Sequence, residues 1–234
     1  GAITTENVNE KKEELLEKIK AYKITDAVKS VTGTEIKSYS NENPEYRVVL
    51  FDFGYKRNIR NELVNRGCEV IVVPADTTAE QIREISPDGI MFSNGPGDPA
   101  ENTEIINNIR EISKLGIPIF GICLGHQLMA LAHGAKTEKL KYGHRGANQP
   151  VIDKVLSKTF VTSQNHGYAV VGDSIDPSEG TVSHINANDG TCEGMRYSKE
   201  NAFTVQFHPE AHGGPQDTAY LFDEFIDMMK KEMH

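Results

Sequence analysis

From residue 47 onward, apolar positions fall into short runs that alternate with stretches where they recur three and four apart. The runs at 48–53, 69–73, 89–92 and 117–122, apolar but for Asp52 and Glu69, predict buried strands. The periodic stretches at 59–65, 78–85, 105–115 and 124–133 predict helices. Strands alternating with helices require crossover connections of one hand, which makes the sheet parallel and covers both its faces. The expected fold is therefore α/β, a mostly parallel central sheet flanked by helices, with its chemistry at the carboxyl ends of the strands. Beyond Gly134 the rhythm shifts to short extended pieces at 151–155, 159–162, 180–185, 192–197 and 203–207, which add short strands, some antiparallel. A closing helix at 218–229 would turn Leu221, Phe222, Phe225 and Met229 inward.

The first 45 residues follow a different pattern. At 9–22, Leu15, Leu16, Ile19 and Tyr22 line one side of a surface helix, and Glu14 pairs with Lys18 four residues on. Residues 25–44 are polar, with Gly33 and Pro44, and predict a connector with short helical pieces at most. This part has too few apolar side chains for a core of its own. The expected division is a remnant of an N-terminal domain plus linker at 1–45 and a main domain at 46–234.

Composition narrows the function classes. A net charge of -9 argues against nucleic acid as a main partner, because no basic stripe is present to neutralise phosphates. No apolar run approaches a membrane span and no signal-peptide pattern opens the chain, so a cytoplasmic setting is expected. Cys68, Cys123 and Cys192 are odd in number and lack CxxC spacing, which speaks against a disulfide framework or a zinc site. No metal is assigned to the chain on this reading.

Candidate chemistry centres on Cys123. The strand at 117–122 breaks there into a helix, with Gly121 and Gly125 two residues to either side. The same spacing in the nucleophile elbow of hydrolases sets a reactive atom on a strained strand-to-helix turn. The positive end of the helix dipole favours a thiolate, and first-turn amides such as that of Leu124 suit a developing oxyanion. A free cysteine is more often a buried small hydrophobe, but the glycines and the strand-helix break favour the nucleophile. Its base would come from 205–210, where a strand runs out into His208, Pro209 and Glu210. In extended backbone His208 and Glu210 share a side, so the carboxylate can orient the imidazole. Loop 92–99, with Gly95, Pro96, Gly97 and Pro99, reads equally as a plain tight turn or as amides presented to an oxyanion or a carboxylate, and phosphate is the lesser rival because no Lys follows as in a P-loop. Stretch 163–168 offers a small polar pocket, and 52–59 either caps a helix or orders a neighbouring loop.

Together these stretches resemble the class I, or triad, glutamine amidotransferases, with GICLGHQ around Cys123 and QFHPE ending at Glu210 as the two signatures. DFGYKRNI, SNGPGDP, KYGHRGANQP and SQNHGY are similar to the small, glutamine-hydrolysing subunit of carbamoyl phosphate synthetases, and the resemblance runs from Arg47 to the C-terminal helix. It implies that Cys123 attacks the side-chain amide of L-glutamine, giving a glutamyl thioester and ammonia. His208 would be the general acid/base and Glu210 its orienting partner. The amides of Gly97 and Leu124 would form the oxyanion hole. Gly95, Gly97, Leu124, Gln127, Asn165, Gly167 and Tyr168 would hold the substrate; position 168 is more often Phe in the family, and a main-chain contact there tolerates Tyr.

The resemblance further implies a partner, a large synthetase subunit that uses ATP, magnesium and bicarbonate to make carbamoyl phosphate for pyrimidine and arginine synthesis. No cofactor is expected on this chain itself, and a further domain would precede residues 1–45. Two other readings stand beside this one: the same triad serving a synthase of GMP or anthranilate type, and a catalytically inert docking or regulatory subunit.

Overall fold

In the computed structural model, which describes residues 1–214 and 216–232, the chain begins with α1 (Val8–Ala21), β1 (Lys37–Tyr39) and β2 (Tyr46–Asp52). It then alternates through α2 (Arg57–Val64), β3 (Cys68–Pro74), α3 (Ala79–Ile85), β4 (Gly89–Phe92), α4 (Thr103–Ser113), β5 (Ile119–Ile122) and α5 (Leu124–Ala132). The second half contains β6 (Lys136–Asp153), β7 (Lys158–Val171), β8 (Thr181–Asn186), β9 (Cys192–Tyr197), β10 (Ala202–Val205) and α6 (Tyr220–Glu232).

β2 shows why the molecule is layered. Successive strand side chains point to opposite faces. Val48 and Leu50 enter a cluster with Ile59 and Leu63 of α2 and Leu221, Phe222 and Phe225 of α6. Val49 and Phe51 enter a second cluster with Ile82 of α3, Ile109 of α4 and Leu128 of α5. Both faces are covered, so the continuous apolar run is accounted for and the α/β expectation holds.

The sheet has the order β1-β3-β2-β4-β5-β10-β9-β7-β6-β8. Its central block, β3 to β10 in that order, is parallel. The chain moves outward from β2 to one side through β3 and to the other through β4 and β5. Loops leaving neighbouring strands at this switch therefore diverge and open a crevice at the carboxyl ends. No helix among the described residues is long and apolar enough to cross a membrane.

Three expectations are corrected. The antiparallel part is not built of short pieces alone: β6 and β7 form a hairpin of 18 and 14 residues, with register shifts between Lys139 and His144 and between Gly146 and Gln149. Residues 25–44 contribute an edge strand, β1, antiparallel to β3. The same segment packs onto the domain: Val28 is a core residue, the Gly33 amide donates to Asp52 Oδ2 (2.9 Å), and the Ala75 amide donates to Thr32 Oγ1 (3.0 Å). A boundary at residue 46 therefore cuts through these contacts. Finally, the last strand stops at Val205, so His208 and Glu210 lie on a turn closed by the Ala211 amide donating to the His208 carbonyl (3.2 Å), not on extended backbone.

Candidate active site

Cys123 stands alone between β5 and α5 at φ 54°, ψ −101°. Such a conformation costs a residue with a Cβ on the order of 1–3 kcal/mol and persists only where its surroundings enforce it. Here the Cys123 amide donates to the Val205 carbonyl (2.8 Å), and the Gly125 amide donates to the Ser93 carbonyl (3.0 Å). The elbow is thereby fastened to the ends of β10 and β4. The flanking glycines are needed for close approach: a Cβ on Gly125 would press on the Phe92 carbonyl oxygen and lie 2.7 Å from Phe92 Cβ, and one on Gly121 would lie 2.8 Å from Thr204 Cγ2. Gly125→Ala should accordingly destabilise the protein by about 2–3 kcal/mol, since backbone must move to admit the methyl. Urea unfolding checks this, and a midpoint unchanged from wild type would contradict the packing argument.

The other cysteines sit elsewhere. Burial pushes the thiols of Cys68 and Cys192 up to about 12, which leaves them unreactive at neutral pH. Cys123, by contrast, lines a cavity of about 440 Å³ together with His208.

His208 is placed by the turn after β10, and its amide donates to the Ser163 carbonyl of β7 (2.9 Å). Its Nδ1 lies 2.8 Å from Glu210 Oε1, both side chains being almost fully buried. Burial works against charging the ring, yet the Cys123 sulfur, by charge and hydrogen bond, and the Glu210 carboxylate outweigh it and raise His208 to about 9. Burial likewise opposes ionisation of Glu210, but His208, and then Lys56, hold its carboxyl below the usual range. Three side chains separated in sequence thus form one chain of proton-bearing groups: sulfur, imidazole, carboxylate.

Lys56 carries no sequence signal that would single it out. Its ammonium lies 3.6 Å from Glu210 Oε1, and the Asn58 amide nitrogen donates to the Glu210 carbonyl. Of the two roles that its sequence left open, the stretch 52–59 orders a neighbouring loop, and among the described residues no side chain caps the N-terminus of α2. Asp52 Oδ1 accepts from the amides of Gly54 (3.0 Å) and Tyr55 (3.1 Å), closing the turn, while Lys56 and Asn58 order the loop that bears His208.

The remaining expected site residues mostly converge. Gly95, Gly97, Gln127, Asn165, Gly167 and Tyr168 line the same cavity as Cys123. Gln127 is fixed by donating from Nε2 to the Tyr168 carbonyl and to Gln206 Oε1, both at 2.8 Å. Leu124 differs: its side chain is buried beneath Gly95, so only its main chain, at the first turn of α5, is placed to meet a ligand. Val31, from the segment expected to be a connector, also lines the cavity, and Ala27 packs against Gly97. Both belong to a short apolar period, Ile24, Ala27, Val28 and Val31, spaced three and four apart, which is the one signal in 25–44 that could have found them. His126, next to Gln127 in sequence, points away into the core, where its Nδ1 meets Thr204 Oγ1 (2.8 Å) and burial lowers it to about 3.

Comparison with known proteins agrees with this architecture. The carbamoyl phosphate synthase small chain of Bacillus cereus is 50% identical over 225 residues, covering 96% of this chain and 60% of its own length. That of Staphylococcus epidermidis is 53% identical over 220 residues, covering 93% of this chain and 59% of its own length. The chain thus spans about three fifths of the curated relatives it matches. Among solved structures, a glutamine amidotransferase from Thermotoga maritima has a TM-score of 0.57 at 18% identity, covering 80% of this chain and 85% of the other. A candidate GMP synthase component from Thermoplasma acidophilum has a TM-score of 0.71 at 22% identity, covering 80% of this chain and 96% of the other. Both are likenesses of fold. Residues 49–228 match the family described as glutamine amidotransferase class-I, and the chain belongs to that family.

Proposed function

We propose that this chain hydrolyses the side-chain amide of L-glutamine and delivers the ammonia to a large synthetase subunit that makes carbamoyl phosphate. The observation that carries the reading is the meeting of Cys123 and His208 in one cavity, with Glu210 2.8 Å behind the imidazole. The small-chain names of the relatives support the choice of partner. ATP, magnesium and bicarbonate would be used on that partner, and this chain would work without a cofactor of its own.

In the proposed reaction the Cys123 sulfur attacks the amide carbon, with its proton held by His208. The oxyanion that develops is held by the main-chain amides of Leu124 and Gly97. Collapse breaks the C–N bond as His208 gives its proton to the leaving nitrogen, releasing ammonia and leaving a glutamyl thioester. His208 then takes a proton from water, which attacks the thioester, and the sulfur leaves with glutamate as product. Gly95, Gly167, Asn165, Gln127 and Tyr168 surround the substrate, and Glu210 keeps the His208 proton on the cavity-remote nitrogen.

Glutamate release by the purified chain, with and without the large subunit, tests the reading. A diazo-ketone analogue of glutamine should label Cys123 and spare Cys68 and Cys192. No labelling of Cys123 in the presence of the partner would refute it.

A pH dependence follows from His208. Its pKa rises from an ordinary value of about 6.5 to about 9. The charged ring therefore stabilises the folded state fully below about 6.5, and that contribution fades as pH climbs through about 9. The leaving nitrogen loses its proton donor over the same range, so kcat/KM for glutamine should fall with a midpoint near 9. A falling limb centred at the ordinary histidine value would show that the ring is not paired as described.

A further inference from the structure

Gly97, whose amide serves the oxyanion in the proposed reaction, lies in the least fastened part of its loop. Upstream, the Ser93 carbonyl accepts from the Gly125 amide (3.0 Å). Asn94 Oδ1 accepts from the Lys56 amide (2.9 Å), and Asn94 Nδ2 donates to the Gly54 carbonyl (3.2 Å). Downstream, Asp98 Oδ1 accepts from the Ala100 amide and the Asp98 carbonyl from Asn102 Nδ2, both at 3.0 Å. Between these anchors, Gly95, Pro96 and Gly97 make no main-chain hydrogen bond among the described residues. An amide free to meet an oxyanion is what the chemistry asks for, and it leaves this part of the loop to be placed by packing.

That packing comes from a single helical turn in the segment that precedes β1. The amides of Ser30 and Thr32 donate to the carbonyls of Asp26 and Val28, both at 2.9 Å, so Ala27 and Val31, four apart, share a side. The turn is anchored to the domain by Val28, which is 1% exposed within the core, and by the bonds of Gly33 to Asp52 and of Thr32 to Ala75. Ala27 fills the space beside Gly97: a Cβ on that glycine, at φ 95°, would lie 2.6 Å from Ala27 Cβ. Val31 closes on the neighbouring residue of the loop. Its Cγ2 and Pro96 Cδ lie 2.9 and 3.2 Å from where a Cβ on Gly54 would stand, so Val31, Gly54 and Pro96 meet at one spot.

We propose that Ala27 and Val31 are positioning residues of the oxyanion hole, a fixed apolar turn that sets the Gly97 amide against the carbon that Cys123 attacks. The inference rests on the glutamine reading and deepens it. A group that orients a donor for the transition state acts on kcat more than on KM. A misplacement of about 1 Å in such a donor costs up to about 10²-fold in rate.

The test measures glutamate release with the large subunit present. Ala27→Leu, which adds bulk against Gly97, should lower kcat about 10–100-fold with KM changed less than about threefold. Val31→Ala, at a half-exposed position, should lower kcat by about 3–10-fold with the same split. Lys29→Leu puts an apolar side chain on the same turn at an exposed residue that does not line the active-site cavity, and kcat should stay within about twofold. Alkylation of Cys123 by iodoacetamide, a displacement at saturated carbon, develops no oxyanion, so its rate should stay within about twofold in all three variants. Circular dichroism establishes which variants fold, and should Ala27→Leu fail, Val31→Ala decides. Unchanged kcat in the folded Ala27 and Val31 variants, a loss confined to KM, or alkylation that slows in step with kcat would overturn the proposal. Wild-type protein that releases no glutamate with its partner would instead refute the glutamine reading on which it rests, so the two failures are told apart.

Discussion

Cys123→Ser is expected to lower glutamine hydrolysis by about 10⁴-fold or more while leaving the fold intact. The two side chains share a Cβ, and the substitution exchanges only the terminal atom, so the strained backbone at φ 54° and the amide bond to Val205 persist. The chemistry does not survive. A hydroxyl gives up its proton far less readily than a thiol and is the poorer nucleophile towards an amide carbon. Removing the nucleophile from a triad that works as a unit costs a loss of roughly this size or larger. Glutamate release with the large subunit present measures it, alongside thermal unfolding, which should shift by no more than a few degrees. Activity within tenfold of wild type would mean that the reacting atom lies elsewhere, and Cys68 and Cys192, whose thiols are pushed up to about 12 and do not line the cavity, are unsuited to replace it.

What the sequence made legible, and what it hid, follows from the range of the forces involved. The parallel core is written locally: strands covered on both faces must be apolar throughout, and Val48 to Phe51 are. The elbow is legible because Gly121, Cys123 and Gly125 fall within five residues, although the contacts that require the glycines, Thr204 for Gly121 and Phe92 for Gly125, come from neighbouring strands. The nearness of His208 to Glu210 is legible too, though for a different geometric reason, since a turn after Val205 brings them together in place of extended backbone. The long β6–β7 hairpin stays hidden because much of it is exposed and bulged, so polar residues and glycines at Gly143 and Gly146 interrupt any alternation. β1 is a three-residue edge strand, too short to show a period. Lys56 reaches Glu210 across more than half the chain, and contacts of that kind leave no mark in a sequence window. Val31 shares the short apolar period at 24–31, which marks a packed face without telling that it borders the cavity.

Glu210→Gln should lower kcat by about 10³-fold or more, with little change in KM, because Glu210 lies behind the imidazole and does not line the cavity. The carboxylate accepts from His208 Nδ1 and so leaves Nε2 for the sulfur; it also balances the charge that the ring acquires. An amide of the same shape can still offer its oxygen to Nδ1, but the balancing charge is gone. If it turns its nitrogen inward instead, it imposes the wrong tautomer. Burial, already working against the charged ring, is then opposed by the Cys123 sulfur alone, so the pKa of His208 should fall. The Lys56 ammonium, 3.6 Å from the same oxygen, also loses its counter-charge and adds to the unfavourable field around the ring. Steady-state glutamate release across pH therefore has two expected signatures, a lower plateau and a falling limb moved to lower pH. A loss smaller than tenfold with the limb unmoved would show that Cys123 and His208 act as a pair without the carboxylate. The distance of 2.8 Å would then reflect packing of the turn and have no bearing on proton transfer.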